Sequence, residues 1–168
     1  EQGYIHHDIK LENIMLCGDN KAKKIVRLID FGLCEKVESE NELSTSWCGS
    51  HDYVAPEVLQ RIPFSGAKAD VWSLGTVLYI MLYGELPFAF QTRSKAIVNG
   101  QPHPSVDFAD HRLSSPLSAD AKDLLIGMLQ VDPAKRISLE AVANHKWVVS
   151  KSKSWNLFGK RKQITSSS

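Results

Sequence analysis

Near its beginning the chain reads Tyr4-Ile5-His6-His7-Asp8-Ile9-Lys10-Leu11-Glu12-Asn13-Ile14-Met15-Leu16. Residues 8–13 contain a carboxylate, an ammonium group and an amide, and apolar residues flank them on both sides. Apolar flanks around a polar centre predict a polar loop that is held between two buried anchors.

Four further motifs follow this loop along the chain. Seventeen residues after Asn13 comes Asp30-Phe31-Gly32, and 25 residues after Asp30 comes Ala55-Pro56-Glu57. The last two motifs are Asp70-Val71-Trp72-Ser73-Leu74-Gly75 and Asp132-Pro133-Ala134-Lys135-Arg136. With these motifs in this order and at this spacing, residues 1–147 resemble the eukaryotic protein kinases, whose catalytic loop reads H-R-D-x-x-x-x-N.

The resemblance implies a fold and a domain organisation. It implies a mainly α-helical domain over residues 1–147, namely the C-terminal lobe of the kinase fold with a short β-hairpin. The resemblance also implies an N-terminal, nucleotide-binding lobe that this sequence lacks, and its first residue is Glu1, so we expect a fragment, a cleaved product or an incomplete gene model. Residues 148–168 are rich in Ser and Lys and are expected to form a disordered basic tail.

Composition narrows the class of protein. The formal net charge of +1 does not favour a nucleic-acid-binding surface across the chain, and 43% hydrophobic with 23% charged residues is typical of a soluble globular domain. Cys17, Cys34 and Cys48 are scattered and odd in number, which favours a reducing compartment over a disulfide framework. We expect an intracellular protein, cytoplasmic with the nucleus as a second location, that acts on proteins and binds neither nucleic acid nor membranes.

A β-hairpin is predicted beside the polar loop. Residues 14–16 and 24–29 have the apolar character of two short strands, and Gly18-Asp19-Asn20 supplies the turn chemistry between them. The hairpin places Asn13 and Asp30 side by side. Oxygen ligands on adjacent strand ends suit a hard cation such as Mg²⁺.

Three helices and one long loop are predicted further on. Residues 71–83 are apolar on nearly every face and too short for a membrane span of about 20 residues, so they predict a core helix that Gly84 and Pro87 end. Ser118 and Ser138 are the predicted N-caps of two more helices. The apolar faces of these are Ala121, Leu124, Leu125, Met128 and Leu129 in the first, and Leu139, Val142, Ala143 and Trp147 in the second. Residues 33–54 show no period and predict a loop, which by resemblance is the activation segment.

The resemblance also implies roles in phosphoryl transfer from ATP with Mg²⁺. Asp8 matches the catalytic base that orients the acceptor hydroxyl, and Lys10 matches the residue that reaches the γ-phosphate. Asn13 and Asp30 match the magnesium ligands, and with Lys10 they form the expected nucleotide site. An Asp in a loop is more often a cap or turn residue, and the joint spacing of the motifs is what favours the functional interpretation.

Other residues match positions that contact substrates or hold the fold. Met15 packs under the adenine ring in the family, with a core strand position as a nearly equal alternative, and Glu12 faces basic substrate residues or is simply solvated. Ser50 matches the hydroxyl that bridges the catalytic Asp and Lys in serine/threonine kinases, and the wording Lys10-Leu11-Glu12-Asn13 is of that type. The resemblance implies structural roles for four residues: His6, Glu57, Asp70 and Arg136. For Asp70, a helix N-cap is an alternative or additional role.

One letter departs from the family motif. His7 stands where the family usually has Arg, which in many kinases grips a phosphate on the activation segment. Arg is always charged and forks two hydrogen bonds, whereas His is mostly neutral near pH 7 and offers fewer donors. We therefore expect weak control by phosphate on Ser44, Thr45 or Ser46.

Two functions from different classes stay open. The first is a protein serine/threonine kinase whose motif wording is most similar to the calmodulin-dependent and AMP-activated branch. The 168 residues contain no Gly-rich loop and no Val-Ala-Ile-Lys lysine, so the chain alone is expected to be inactive. The second is a non-catalytic fragment that docks substrates or regulators.

Overall fold

The computed structural model describes residues 3–18, 25–39, 42–88, 95–96, 106 and 116–150. Within these ranges the strands are, in chain order, β1 (Tyr4–Ile5), β2 (Ile14–Cys17), β3 (Ile25–Leu28), β4 (Glu35–Lys36), β5 (Leu43–Ser44) and β6 (Phe64–Ser65). The helices are α1 (Pro56–Leu59), α2 (Gly66–Tyr83), α3 (Ala119–Met128) and α4 (Leu139–Ala143), and residues 95–96 and 146–150 are also helical. None of the helices in these ranges is long and apolar enough to cross a membrane.

The predicted hairpin is confirmed. Strands β2 and β3 pair antiparallel, with Ile14 opposite Leu28. At the open end the N–H of Ile29 donates to the carbonyl oxygen of Asn13 at 2.9 Å, which brings Asn13 and Asp30 to the same end as expected. Parts of the predicted turn and second strand lie outside the described residues: Asp19, Asn20 and Lys24.

The two apolar anchors predicted for the polar loop differ from each other. Ile5 is buried, as expected. Leu16 is 64% exposed, and its cross-strand neighbour Val26 is exposed as well, so the second anchor is wrong. A two-stranded ribbon needs a further layer to bury its apolar side chains, and within the described ranges these two side chains have none.

The prediction of a loop over residues 33–54 is wrong in two places. Strand β4 pairs antiparallel with β1, where Glu35 lies opposite Ile5. Strand β5 pairs antiparallel with β6, where Ser44 lies opposite Phe64. Two residues per strand are too few for a periodic signal in the sequence. These ribbons fasten the activation segment to the chain on both sides of it.

The central helix α2 begins five residues earlier than predicted, at Gly66. Ser65 caps it, because its hydroxyl oxygen accepts a hydrogen bond from the N–H of Lys68, and Gly84 ends it in the left-handed conformation with φ at 76°. The early start is hidden in the sequence, since Gly66 and Lys68 give no apolar signal. The prediction that this helix is buried on every face is wrong at Met81, which is exposed.

Helices α2 and α3 pack closely at Gly75. A Cβ atom there would lie 2.9 Å from Cβ of Met128, so a larger side chain would force the helices apart. Ser118 caps α3 as predicted, and its hydroxyl oxygen accepts from the N–H of Ala121 at 3.3 Å. The predicted apolar face is confirmed, since every member is buried: Ala121, Leu124, Leu125, Met128 and Leu129.

Helix α4 completes the described core. Ser138 caps it as predicted, accepting from a backbone N–H three residues on. Val142 is buried, and Trp147 packs partly buried against the same cluster. Leu139 and Ala143 are exposed, so the prediction is wrong for these two, because a helix of five residues presents a single turn to the core.

Helical structure continues past residue 147, where the domain was expected to end. Residues 148–150 continue a helix, and Val148 packs partly buried against the core. The rest of the expected tail, residues 151–168, lies outside the described residues.

Candidate active site

The polar loop is anchored on helix α2 through Asp70. The carboxylate of Asp70 accepts hydrogen bonds from the N–H groups of His6 at 2.7 Å and His7 at 3.0 Å. Burial raises the pKa of this carboxyl, although both N–H bonds act in the opposite direction. Asp70 lies inside α2, so the role of helix N-cap is wrong, and its contacts are those of the structural role implied by the resemblance.

The backbone turns sharply where it enters the loop. His7 has a φ of 65°, a conformation that a side chain with a Cβ rarely adopts and that costs about 1–3 kcal/mol. Gly49 of the activation segment lies against the carbonyl oxygen of His7, where a Cβ atom would overlap that oxygen. The strained turn and the close approach together place Asp8 beneath the activation segment.

Asp8 lies at the centre of a polar network. Its carboxylate accepts from Lys10 Nζ at 2.7 Å and from the N–H of Ser50 at 2.9 Å. Lys10 Nζ also donates to Ser50 Oγ at 2.9 Å. The structure thus brings Asp8 and Lys10 together with Ser50, which lies 42 positions after Asp8 in the sequence.

The network holds Asp8 in the ionised form. Burial raises the pKa of the Asp8 carboxyl, but hydrogen bonds from Lys10 and Ser50 together outweigh burial, and the pKa lies below its ordinary value. The hydrogen bond to Asp8 raises the pKa of Lys10 in turn. A carboxylate and an ammonium group therefore lie in direct contact at neutral pH.

Asn13 closes the loop from the other side. It ends the 3₁₀ turn Leu11–Asn13 and is buried. Its amide nitrogen Nδ2 donates to the carbonyl oxygen of Asp8 at 2.9 Å and to its carboxylate at 3.2 Å. Since both bonds use the nitrogen, neither of them occupies the amide oxygen, which is the atom that could bind a cation.

Asp30 lies at the end of the hairpin beside Asn13, in a strained conformation with φ at 62°. Its carboxylate accepts from the N–H of Gly32 at 3.3 Å. Phe31 makes an edge contact with His6, with ring centroids 5.0 Å apart. The aromatic ring of Phe31 therefore holds the motif Asp30-Phe31-Gly32 against the polar loop.

His6 connects the loop to the hairpin, and its two ring nitrogens have different tasks. The N–H of Asp8 donates to His6 Nδ1 at 3.3 Å, which assigns the ring proton to Nε2. Nε2 then donates to the carbonyl oxygen of Ile29 at 3.1 Å. His6 therefore positions Asp8 and the residue before Asp30, and its contacts are those of a structural residue.

The donors beside Asp8 fit Mg²⁺ in kind. One amide oxygen, from Asn13, and one carboxylate, from Asp30, are the oxygen ligands that this ion prefers, and it usually completes its coordination with water and phosphate oxygens. Among the described residues no group of three or more His, Cys, Asp or Glu side chains is placed to hold a metal ion. A cation held by these two residues would thus depend on the nucleotide for further ligands.

The residues matched to substrate positions lie around this centre. Met15 is 47% exposed on β2, so the alternative of a core position is wrong. Glu12 is exposed on the 3₁₀ turn. Burial, and next the charge of Glu12, raises the pKa of Tyr53 in the activation segment.

A buried ion pair closes the activation segment at its far end. Arg136 donates to both carboxylate oxygens of Glu57, at 2.7 and 3.0 Å, and both side chains are almost fully buried. The guanidinium also donates to the carbonyl oxygen of Lys68 at 2.8 Å and lies 5.0 Å from the ring centroid of Trp72. These contacts tie α1 to α2, as the implied structural roles of Glu57 and Arg136 require.

Sequence reasoning missed one residue at this site, Glu35. Its carboxylate lies 2.9 Å from His7 Nε2 and accepts from Ser44 Oγ at 2.6 Å. Ser44 is only 2% exposed, so in this conformation it is closed to a modifying enzyme, whereas Thr45 and Ser46 are exposed. The one available signal in the sequence is an acidic residue between the apolar Cys34 and Val37, and it is too weak to assign a partner.

Comparison with protein families shows which family the chain belongs to. The family model described as protein kinase domain matches residues 1–148 of the 168. The chain therefore belongs to the protein kinase domain family, and the resemblance carried by the five motifs is confirmed.

Individual relatives are named as kinases. The chain is 44% identical over 149 residues to testis-specific serine/threonine-protein kinase 3 of Homo sapiens, which covers 88% of the chain and 52% of that protein. It is 38% identical over 151 residues to protein kinase kin1 of Schizosaccharomyces pombe, covering 89% of the chain and 16% of that protein. It is 37% identical over 149 residues to CBL-interacting protein kinase 16 of Oryza sativa subsp. japonica, covering 87% and 30%. The chain thus spans from about a sixth to about half the length of these curated relatives.

Proposed function

We propose that this chain carries the phosphoryl-transfer residues of a protein serine/threonine kinase that uses ATP and Mg²⁺. The observation that supports this most is the contact of Asp8 with both Lys10 and Ser50. We further propose that the domain, which includes the packed helix through residue 150, is the C-terminal, helical lobe of the kinase fold and that a tail follows it.

Asp8 acts on the acceptor hydroxyl. Its lowered pKa keeps it ionised at neutral pH, so that it can accept the hydroxyl hydrogen bond, orient the oxygen and take up the proton as the acceptor oxygen bonds to the γ-phosphorus and the bond from that phosphorus to the leaving ADP breaks. Lys10 Nζ lies 2.7 Å from the same carboxylate and would therefore be close to the acceptor oxygen that Asp8 orients. Its ammonium group offsets negative charge in the transition state.

The nucleotide side of the site is assigned to three residues. Asn13 and Asp30 would hold Mg²⁺, which when bound neutralises phosphate charge and positions the phosphate groups. The half-exposed side chain of Met15 offers an apolar surface of the kind that an adenine ring covers. The hydrogen bonds of Asn13 to Asp8 hold the Asn13 side chain rigidly in place.

The substrate class rests on Ser50 and on the relatives. The Lys10–Ser50 contact is of the type implied for serine/threonine kinases, and relatives are named as such. Exposed Glu12 provides a carboxylate for basic residues of a protein substrate. We propose protein partners in an intracellular setting, cytoplasmic or nuclear, with no binding to nucleic acid or membranes.

Measurements of ATP binding and of turnover test this division of roles. They use the longest natural protein, that is, the longest naturally expressed polypeptide that contains this sequence. Asp8→Asn keeps the size and removes the base, so ATP affinity should stay within about twofold while turnover falls by about 100-fold or more. Asp30→Asn should instead weaken the Mg²⁺-dependent part of ATP binding, measured by calorimetry with and without Mg²⁺. Asp120→Asn, an exposed residue on α3, is the control and should change neither. Equal loss of ATP binding in the Asp8 and Asp30 variants would contradict the assignment.

A further inference from the structure

One carboxylate oxygen joins three parts of the chain. Oε2 of Glu35 lies 2.9 Å from His7 Nε2 and 2.6 Å from Ser44 Oγ. The His7 side chain is almost fully buried, Ser44 is buried, and Glu35 is about one-third exposed. The hydroxyl of Ser44 donates to Glu35 and accepts from the N–H of Ser46 at 3.0 Å, so it is bonded in both directions.

The three residues lie on three different parts of the chain, of which the polar loop and β4 are also joined through the β1–β4 ribbon. His7 precedes Asp8 in the polar loop, Glu35 lies on β4 and Ser44 lies on β5. The bridge therefore fixes the beginning and the middle of the activation segment to the residue next to Asp8. The bond from Ser44, and next the bond from His7, lowers the pKa of Glu35 against the effect of burial, so this carboxylate is ionised at neutral pH.

We propose that Glu35 closes the activation segment onto His7 without any phosphate, and that a phosphate on Ser44 opens the segment instead of closing it. The negative group that His7 meets is supplied by the chain itself. This inference rests on the proposed function, because it concerns the regulation of the same site.

The sign of the phosphate effect follows from the contacts. Phosphorylation of Ser44 replaces the O–H that donates to Glu35 by a group of about −1.5 to −2 charge. That charge would lie against an ionised carboxylate in a site with little exposure to water, where repulsion is weakly screened. The adjacent Thr45 is exposed, so a charge there leaves the bridge intact.

Hydrogen exchange of the backbone tests the bridge without relying on catalysis. In the longest natural protein, Glu35→Ala and Ser44→Asp should each speed exchange of the amides of residues 46–48 by about tenfold, the effect of losing one hydrogen bond to a charged group. Two controls should stay within about twofold of the unmodified protein: Glu38→Ala, which removes an exposed carboxylate of the same segment, and Thr45→Asp. The smaller change Ser44→Ala covers the case that Glu35→Ala fails to fold.

A rescue separates charge repulsion from simple damage. In the Ser44→Asp variant, Glu35→Gln removes one of two facing charges and lets an amide donate to the new carboxylate. The increase in amide exchange should therefore fall from about tenfold to about fivefold or less. Equal exchange in the Glu35→Ala and Glu38→Ala variants, or slower exchange in Ser44→Asp than in the unmodified protein, would overturn the proposal. Loss of Asp8-dependent turnover bears only on the proposed function, so the two failures are distinguishable.

Discussion

At the scale of single residues, polar groups in α2 differ in whether they are paired. Ser73 donates its hydroxyl to the carbonyl oxygen of Tyr53 at 2.9 Å and so connects α2 to the activation segment. Thr76, one turn further on, is fully buried, and its hydroxyl has no hydrogen-bond partner among the described residues. An unpaired buried hydroxyl is destabilising, because it loses its bonds to water and gains none.

These two positions make a matched pair for a stability measurement. Thr76→Val keeps the shape and removes the unpaired hydroxyl, so the free energy of unfolding should rise by about 1 kcal/mol. Ser73→Ala leaves the carbonyl of Tyr53 without its donor, so the same quantity should fall by about 1 kcal/mol. Urea unfolding of both variants checks the signs. A Thr76→Val variant that is clearly less stable than the unmodified chain would show that the hydroxyl has a partner.

The sequence predicts some residues of the site and not others. Asp8, Lys10, Asn13 and Asp30 stand in motifs whose spacing is legible in one sequence, and the structure brings Asp8, Lys10 and Asn13 into contact. Glu35 could not be predicted, because its partners lie 28 positions before it and 9 positions after it, and no motif relates them. A tertiary contact between single side chains leaves no period in the sequence.

At the scale of elements, the buried pair of Arg136 and Glu57 joins α1 to the chain beyond α3. Both side chains are almost completely withdrawn from water. A buried pair contributes little net stability when it is intact, but removing one partner leaves an uncompensated buried charge. The bidentate geometry, at 2.7 and 3.0 Å, therefore makes Glu57 a position that the fold tolerates poorly when changed.

Removing the charge of Glu57 tests whether an unpaired, buried Arg136 destabilises the fold. Glu57→Gln should lower the free energy of unfolding by about 3–5 kcal/mol, since Arg136 remains charged and buried. The double variant Glu57→Met with Arg136→Met should be more stable than the single variant, because no charge is left unpaired. The control is Lys135→Met, next to Arg136 in sequence, whose exposed pair with Asp132 at 3.8 Å should be worth less than about 0.5 kcal/mol. Equal effects at Glu57 and Lys135, measured by urea unfolding, would contradict the account.

Elements also differ in how well the sequence predicts them. The caps at Ser118 and Ser138 and the end of α2 at Gly84 carry local chemistry and were predictable. The ribbons β1–β4 and β5–β6 were not, because two-residue strands form only where tertiary contacts bring the chain together.

At the scale of the whole molecule, the described surface carries an apolar area on the β2–β3 hairpin. Leu16 and Val26 lie opposite each other and are both about two-thirds exposed. With a net charge of only +1, electrostatic repulsion between copies is weak. Apolar area of this kind favours association.

We therefore expect the 168-residue chain to self-associate or pack loosely when it is isolated. The double variant Leu16→Thr with Val26→Thr keeps strand-forming residues and removes apolar area, so the monomer fraction in sedimentation should rise while the melting temperature holds. Leu139→Thr, an exposed apolar residue on α4 away from the hairpin, should leave the monomer fraction unchanged. A sharply melting monomer without any substitution would argue against this expectation.

We propose that Asp8 is the base of a serine/threonine phosphoryl-transfer site. Its most direct test is transfer of labelled phosphate from Mg-ATP to three peptides that differ only in carrying Ser, Thr or Tyr as acceptor, with the longest natural protein as enzyme. We predict transfer to the Ser and Thr peptides, a fall of about 100-fold or more with Asp8→Asn, and no transfer to the Tyr peptide. Transfer that survives Asp8→Asn undiminished, or that occurs only on Tyr, would contradict the claim.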